Sequence, residues 1–292
     1  MSLLTTFLFY FFVLIISVLP FFVLYRFSDL LHLLMLHVVK YRIKVIIDNL
    51  KKAFPEKTEQ ELKILLKKFY RNLTDNLVES MKTFTMSKAA IVRRHKIVNP
   101  ELLEAYFKEG KSIIGVTAHY CNWEWGSLSG SLQSEYKMVG FYKPMRNKRI
   151  DKIIRNSRSR CGTELVSIYE TSNAFEHYKD QPTVFLMAAD QSPSGKQLPK
   201  AYWYDFLGRR TAFLHGVEKH ARNNNYTVVY MDIQRVKRGF YEVELSLLAD
   251  NPVALKEGEV TERYVRKVES VIQKEPENWL WSHKRWKHTP KE

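Results

Sequence analysis

The 292-residue chain has only two cysteines, Cys121 and Cys161. Two thiols supply neither a disulfide framework nor a zinc-type cluster, a pattern that suits a reducing compartment. No glycine-rich nucleotide loop is present, so nothing points to phosphoryl or hydride transfer. Internal repeats and low-complexity linkers are also missing. Acidic residues are short relative to basic ones, 31 against 46, which leaves a net charge of +15. Such an excess implies an anionic partner: nucleic acid, an anionic membrane or a phosphorylated substrate. Apolar residues make up 45% of the chain, enough for a core, and argue against disorder.

The absence of charge at the start decides among these partners. From Met1 to Tyr25, "MSLLTTFLFYFFVLIISVLPFFVLY", no side chain is charged. A helix of about 23 residues spans roughly 35 Å, enough to cross a hydrocarbon core. No Lys or Arg precedes the run and no small-residue cleavage site follows it, so it reads as an uncleaved anchor rather than a signal peptide. Pro20 marks a kink. Arg26, Lys40, Arg42 and Lys44 follow, which places the body of the protein on the cytoplasmic side. Ser28 and Asp29 are candidate caps for a further helix, "LLHLLMLHVVKYR", suited to the membrane interface. His32 and His37 within it read as structural.

Residues 41–83 carry apolar side chains at helical spacing. Pro55 breaks the run, and Thr58 with Glu61 forms a capping box that restarts it. From about residue 97 the pattern changes. "SIIGVTAH", "KMVGFY", "PTVFLMAAD", "YTVVYMDIQRV" and "FYEVELSLL" read as strands. Helical stretches lie at 101–108, 123–132, 147–160, 171–179, 211–224 and 258–274. Alternating elements predict an α/β fold with a mixed, mainly parallel sheet flanked by helices. The last strands are close enough to pair as a hairpin. The expected organisation is a transmembrane anchor at 1–26, a membrane-associated helical segment at 27–95 and an α/β core at 96–292.

The chemistry concentrates in "GVTAHYCNWEW", residues 115–125. An apolar strand ends on His119, and strand C-termini are where α/β sheets collect reactive groups. On an unbroken helix, residues five apart point about 140° away from each other. His119 and Glu124 therefore meet only if Tyr120, Cys121 and Asn122 make a turn, with Asn122 capping the helix that holds Glu124. The carboxylate would then hold one imidazole nitrogen and leave the other as a base. Cys121 has no separate base and orienter to make it a nucleophile, and His119 with Cys121 falls short of a zinc ligand set.

"TAHYCNWEW" resembles the H-x₄-D/E motif of bacterial lysophospholipid-type acyltransferases, in particular the late acyltransferases of lipid A biosynthesis (the lauroyl/myristoyl transferase family). Further pieces agree in order: "NLKKAFPE" upstream, then "YKPMRNKRIDKIIRNSRSRCG", "MAADQSPSG", "YDFLGRRTAF" and "WLWSHKRWK". The likeness covers roughly residues 5–288. Glycerol-phosphate-type relatives carry a proline–glutamate–glycine motif where this chain has "AADQSPSG", which favours the lipid A branch. Cys121 stands where relatives often have glycine, and the aromatic motif reads Phe206-Leu207-Gly208.

Between Lys143 and Arg160 lie eight Lys/Arg and one acid, Asp151. Arg155 and Arg158 share a helical face, and guanidinium groups match phosphate oxygens. The resemblance places Arg158 at the active-site arginine and Asn147 in the motif before it. Asp190 and Gln191 end another strand on the same rim, where Asp190 would orient the acceptor or Arg158. Near the C-terminus, His283, Lys284, Arg285 and Trp286 either join the site or lie against headgroups. The candidate substrate-binding set is Arg158, Asp190, Gln191, Asn122, Asn147 and Arg155.

The implied reaction moves a fatty acyl group from a thioester to a hydroxyl of a membrane lipid, with His119 as base and Glu124 as its orienter. The resemblance makes acyl carrier protein the donor, an acylated lipid A precursor the acceptor and the bacterial inner membrane the location. It implies no metal and no organic cofactor. An aminolipid, glycolipid or lysophospholipid acceptor is the alternative. A non-catalytic tethered protein that binds anionic ligands is a remote one, and no nucleic-acid motif supports it.

Overall fold

The computed structural model describes residues 3–290. Its elements run α1 (Leu3–Val18), α2 (Phe21–Leu33), α3 (Ile43–Ala53), α4 (Glu59–Lys82), α5 (Lys88–Arg94), β1 (His95–Ile97), α6 (Glu101–Lys108), β2 (Ile113–Thr117), α7 (Trp123–Ser129) and β3 (Lys137–Tyr142). They continue with α8 (Lys148–Ser159), β4 (Glu164–Ser167), α9 (Thr171–His177), β5 (Thr183–Ala188), β6 (Tyr202–Phe206), β7 (Arg209–Phe213), α10 (Gly216–Asn224), β8 (Thr227–Lys237), β9 (Phe240–Ala249) and α11 (Glu259–Lys274).

Seven strands form one sheet in the order β1-β9-β8-β2-β5-β3-β4. Every neighbouring pair is parallel except β8 and β9, which pair antiparallel. The expected mixed sheet with a terminal hairpin is therefore present. β2 sits inside, between β8 and β5. Its Ile113, Ile114 and Val116 are buried, which explains the unbroken apolar run of a strand covered on both faces. β6 and β7 make a separate two-stranded hairpin. Leu207 and Gly208 link them with φ of 49° and 70°, the backbone of a type I′ turn. The sequence reading put a helix from residue 211. The structure instead ends β7 at Phe213 and starts α10 at Gly216.

The apolar N-terminus is not one helix. Pro20 has no N–H to continue the ladder, and the chain breaks between Val18 and Phe21. The 16 residues of α1 reach about 24 Å, short of a bilayer core of about 30 Å. α2 instead runs on through a π-helical stretch at Leu34–Val39. Phe21–Val39, 19 residues, is the one helix among the described residues long and apolar enough to cross a membrane. The helix does not restart at Ser28. That hydroxyl is buried mid-helix and donates to Asp75 at 2.7 Å. α1, α2 and the π-helical stretch together expose Leu3, Phe7, Phe11, Phe22, Leu30, Val38 and Val39, and large exposed apolar side chains gathered in this way mark a membrane- or partner-facing surface.

α4 fastens this apolar layer to the sheet. The capping box at its start is as expected: Thr58 accepts from the Glu61 N–H while the Glu61 carboxylate accepts from the Thr58 N–H. Further along, the buried Asp75 pairs with Arg235 and with Arg238, each at 2.6 Å, and Arg238 also pairs with Asp29 of α2 at 2.7 Å. Both arginines come from the β8–β9 hairpin, near its turn, so one carboxylate ties α4 to that end of the hairpin. Gly239, in the hairpin turn at φ 74°, has the Tyr25 hydroxyl where a Cβ would stand. Gly239→Ala should cost more than the ~1 kcal/mol of a left-handed alanine, because Tyr25 must also move. Thermal unfolding in detergent should show a lowered midpoint; an unchanged midpoint would mean that the contact is dispensable.

Candidate functional site

The register of two neighbouring strands builds the site. Thr117 of β2 lies opposite Ala188 of β5. Two residues beyond each, His119 and Asp190 leave the sheet side by side, and His119 Nδ1 meets Asp190 Oδ1 at 2.6 Å. The second carboxylate oxygen, Oδ2, accepts from the indole N–H of Trp279 at 2.8 Å. The turn after His119 is held by the C-terminal segment. Leu280 N–H donates to the His119 carbonyl at 3.0 Å, and Cys121 N–H donates to the Asn278 carbonyl at 3.0 Å. Cys121 takes φ 49°, a left-handed conformation that reverses the chain. The Asn122 side chain then caps α7 by accepting from Trp125 N–H at 3.1 Å, as expected.

The pairing of Glu124 differs from the sequence reading. Glu124 does not hold the His119 ring by a hydrogen bond. It accepts two bonds from Arg158 of α8, Nε at 2.7 Å and Nη2 at 2.6 Å. This bidentate fork fixes guanidinium geometry as no single contact would. Nor does Asp190 orient Arg158, because both of its oxygens serve His119 and Trp279. His119 and Glu124 nonetheless face one cleft, and the Glu124 charge still acts on the ring.

These partners set the protonation states. Burial disfavours charge on His119, but the Asp190 carboxylate, its hydrogen bond and Glu124 outweigh it and raise the pKa above the usual histidine value. Burial acts the other way on Asp190 and alone would lift its pKa. The His119 charge and the bonds from His119 and Trp279 instead bring it down to about 2. An ionised Asp190 can only accept, so the proton on the ring sits at Nδ1, and Nε2 is left to take another.

His119, Trp123, Glu124 and Arg158 line a cavity of about 290 Å³, continued by Met138, Leu186, Met231, Ile233, Val243 and Leu245. It is a polar mouth on an apolar pit, the form of a site for an amphiphile. The Trp123 ring stands edge-on to the His119 ring at 5.2 Å. A base faces a buried apolar slot, with a fixed cation beside it.

The other expected residues sort differently. Asn122 is buried, and besides capping α7 it donates to Glu79 at 2.7 Å. Its amide is spent on structure rather than on the cavity. Asn147 caps α8, accepting from Arg149 and Ile150. Arg155 is exposed and Gln191 half-buried, and neither lines the cavity. Of the C-terminal cluster, Arg285 is buried against the Phe213 ring at 4.3 Å and donates to the Ala212 carbonyl. His283 Nε2 accepts from Ser192 N–H at 3.0 Å.

Trp279 and Glu79 escaped the sequence reading. Glu79, fully buried in α4, accepts from Tyr25 at 2.7 Å, Asn122 at 2.7 Å and Tyr241 at 2.8 Å. Its backbone carbonyl accepts from the Trp125 indole at 3.0 Å. Burial, with help from Asp75 and against the bonds from Tyr25 and Tyr241, pushes its carboxyl up to about 7. The available signal was a glutamate among apolar neighbours in the second half of an otherwise ordinary helical pattern.

Comparison with known proteins shows the family. The family described as bacterial lipid A biosynthesis acyltransferase matches residues 1–288. The lipid A biosynthesis lauroyltransferase of Escherichia coli (strain K12) is 24% identical over 275 residues, covering 93% of this chain and 88% of its own. A lipid A biosynthesis acyltransferase of Haemophilus influenzae (strain ATCC 51907 / DSM 11121 / KW20 / Rd) is 21% identical over 244 residues, covering 84% and 77%. With the match running from the apolar helices to the segment that holds Asp190, the chain belongs to the bacterial lipid A biosynthesis acyltransferase family.

Proposed function

We propose that the protein transfers a fatty acyl chain from an acyl carrier protein thioester to a hydroxyl of an acylated lipid A precursor, on the cytoplasmic face of the bacterial inner membrane. The observation that carries this reading is the His119–Asp190 pair at the mouth of an apolar cavity, 2.6 Å between Nδ1 and Oδ1. His119 Nε2 takes the proton from the acceptor hydroxyl as its oxygen attacks the thioester carbonyl. Asp190 fixes the tautomer and stabilises the imidazolium, the task of the carboxylate in other His–carboxylate catalysts. As the tetrahedral intermediate collapses, the C–S bond breaks and the imidazolium returns its proton to the leaving thiolate. The sequence reading gave the orienting task to Glu124. The hydrogen bonds support Asp190 for it, with Glu124 placing Arg158.

Arg158 uses Nε and Nη2 on Glu124, and Nη1 has no part in that fork. It suits an acceptor phosphate or the charge that grows on the carbonyl oxygen. The donor acyl chain lies in the apolar pit. A lipid acceptor cannot leave the bilayer cheaply, at about 0.8 kcal/mol for each CH₂ exposed to water, so the enzyme keeps its exposed apolar helices at the interface. The net charge of +15 suits both anionic headgroups and an acidic carrier protein.

Incubating the full chain in detergent with acyl carrier protein thioester and an acylated lipid A precursor should give a product heavier by one acyl chain. With a glycolipid or lysophospholipid offered in competition, acylation of the competitor instead would overturn the acceptor assignment. Arg158→Ala should lower kcat/KM about 10²-fold, on the scale of losing one charge-stabilising donor; an unchanged kcat/KM would remove Arg158 from the site.

A further inference from the structure

A second cavity lies on the other side of the catalytic turn. It measures about 430 Å³, and its walls include Trp123 and Glu124, which also line the first cavity. The opposite wall is one face of α4, Leu73, Asn76, Leu77 and Ser80, spaced three and four residues apart. Met35, from the π-helical end of the membrane-facing helix, closes one end with Tyr41.

Most of the polar groups in the lining are already committed. Asn76 already donates to the Cys121 carbonyl at 2.7 Å, and Ser80 to the Asn76 carbonyl at 2.7 Å. Asn122 is committed to Glu79 and the α7 cap. The Glu124 carboxylate is neutralised by Arg158. Most of what remains to contact a guest is apolar: the hydrocarbon of Met35, Leu73, Leu77 and Leu280 and the rings of Tyr41 and Trp123. Leu77 of its wall is itself exposed, and so are Leu34, Val38 and Val39 on the helical stretch that carries Met35.

We propose that this second cavity holds an acyl chain already carried by the lipid acceptor, guiding it from the bilayer so that its hydroxyl arrives at His119 from the side opposite the donor chain. The assignment rests on the acyl-transfer reading and names the acceptor's own subsite within it. Trp123 and Glu124 form the partition between the two chains. The accepting hydroxyl can then reach the base while the rest of the chain stays covered, with the chain entering from the apolar surface without crossing water.

The test compares two acceptors with the full chain in detergent micelles and one thioester donor. One is an acylated lipid A precursor. The other is the same lipid with every acyl chain shortened to four carbons and every hydroxyl kept. Wild type should favour the long-chain acceptor. Leu77→Trp, on a partly exposed position that tolerates a larger side chain, should fill the cavity and cut the long-to-short ratio of kcat/KM at least tenfold, mainly through KM for the long-chain acceptor. Met35→Trp should repeat this from the opposite wall. A ratio left at the wild-type value in both folded variants overturns the assignment, as does a loss confined to kcat. Wild-type protein that acylates neither acceptor fails the acyl-transfer reading itself, a result visible before any variant is made.

Discussion

His119→Ala should lower the rate of acyl transfer by about 10²–10⁴-fold, the usual worth of a positioned general base. The cavity and Arg158 remain, so thioester binding should survive and the loss should fall on kcat. The folded state should also survive. The ring is not part of the packed core, and the turn that carries it is held by backbone bonds to Leu280 and Asn278. Steady-state transfer assays, with donor binding measured separately, read both quantities. Retention of more than a tenth of wild-type kcat would remove His119 as the base.

Asp190→Asn should cost a comparable factor. In Ser-His-Asp hydrolases the same carboxylate-to-amide change costs about 10⁴ by favouring the wrong tautomer. Here the amide also faces the Trp279 indole, and one of its orientations sets N–H against N–H. The pH profile separates this role from structural support. His119 must be neutral to accept a proton, so the rate rises with pH through its pKa. Burial lowers that pKa, but the Asp190 charge, the bond to it and Glu124 together raise it. The wild-type acid limb should therefore lie above the ordinary histidine value of about 6.5. Without the Asp190 charge, burial dominates and the limb should move to lower pH while the plateau falls. Glu124→Gln should leave most of this shift unmade, since its oxygens bond Arg158. If instead Glu124→Gln moves the limb and Asp190→Asn does not, the orienting carboxylate is Glu124.

Much of the fold could be read along the chain because its strands are short apolar runs bounded by turns. All five strands expected from residue 97 onward are present, and α6 has the limits expected of it. β1, three residues long, and β4, four, are too brief to leave a period. The β6–β7 hairpin escaped because its turn uses Leu207, not the Asn or Asp that usually marks φ above zero. At the site, His119, the cap by Asn122 and the shared cleft with Glu124 all follow from local order. The exchange of partners does not. Asp190 comes from the neighbouring strand and Arg158 from another helix, so their distances depend on sheet register and helix packing. Five-residue spacing carries neither.

The web around Glu79 has a consequence for anyone wishing to simplify the protein. Deleting the greasy leader to obtain a water-soluble catalytic fragment would also remove Tyr25. The glutamate would keep Asn122 and Tyr241 but lose the phenol on its other oxygen. An ionisable group stripped of part of its support in a dry interior tends to take up a proton or draw in solvent. Asn122, which starts the helix bearing Glu124, depends on that same group. Membrane attachment and the readiness of the reaction centre are thus joined in one polar knot, and soluble truncations would begin with it untied.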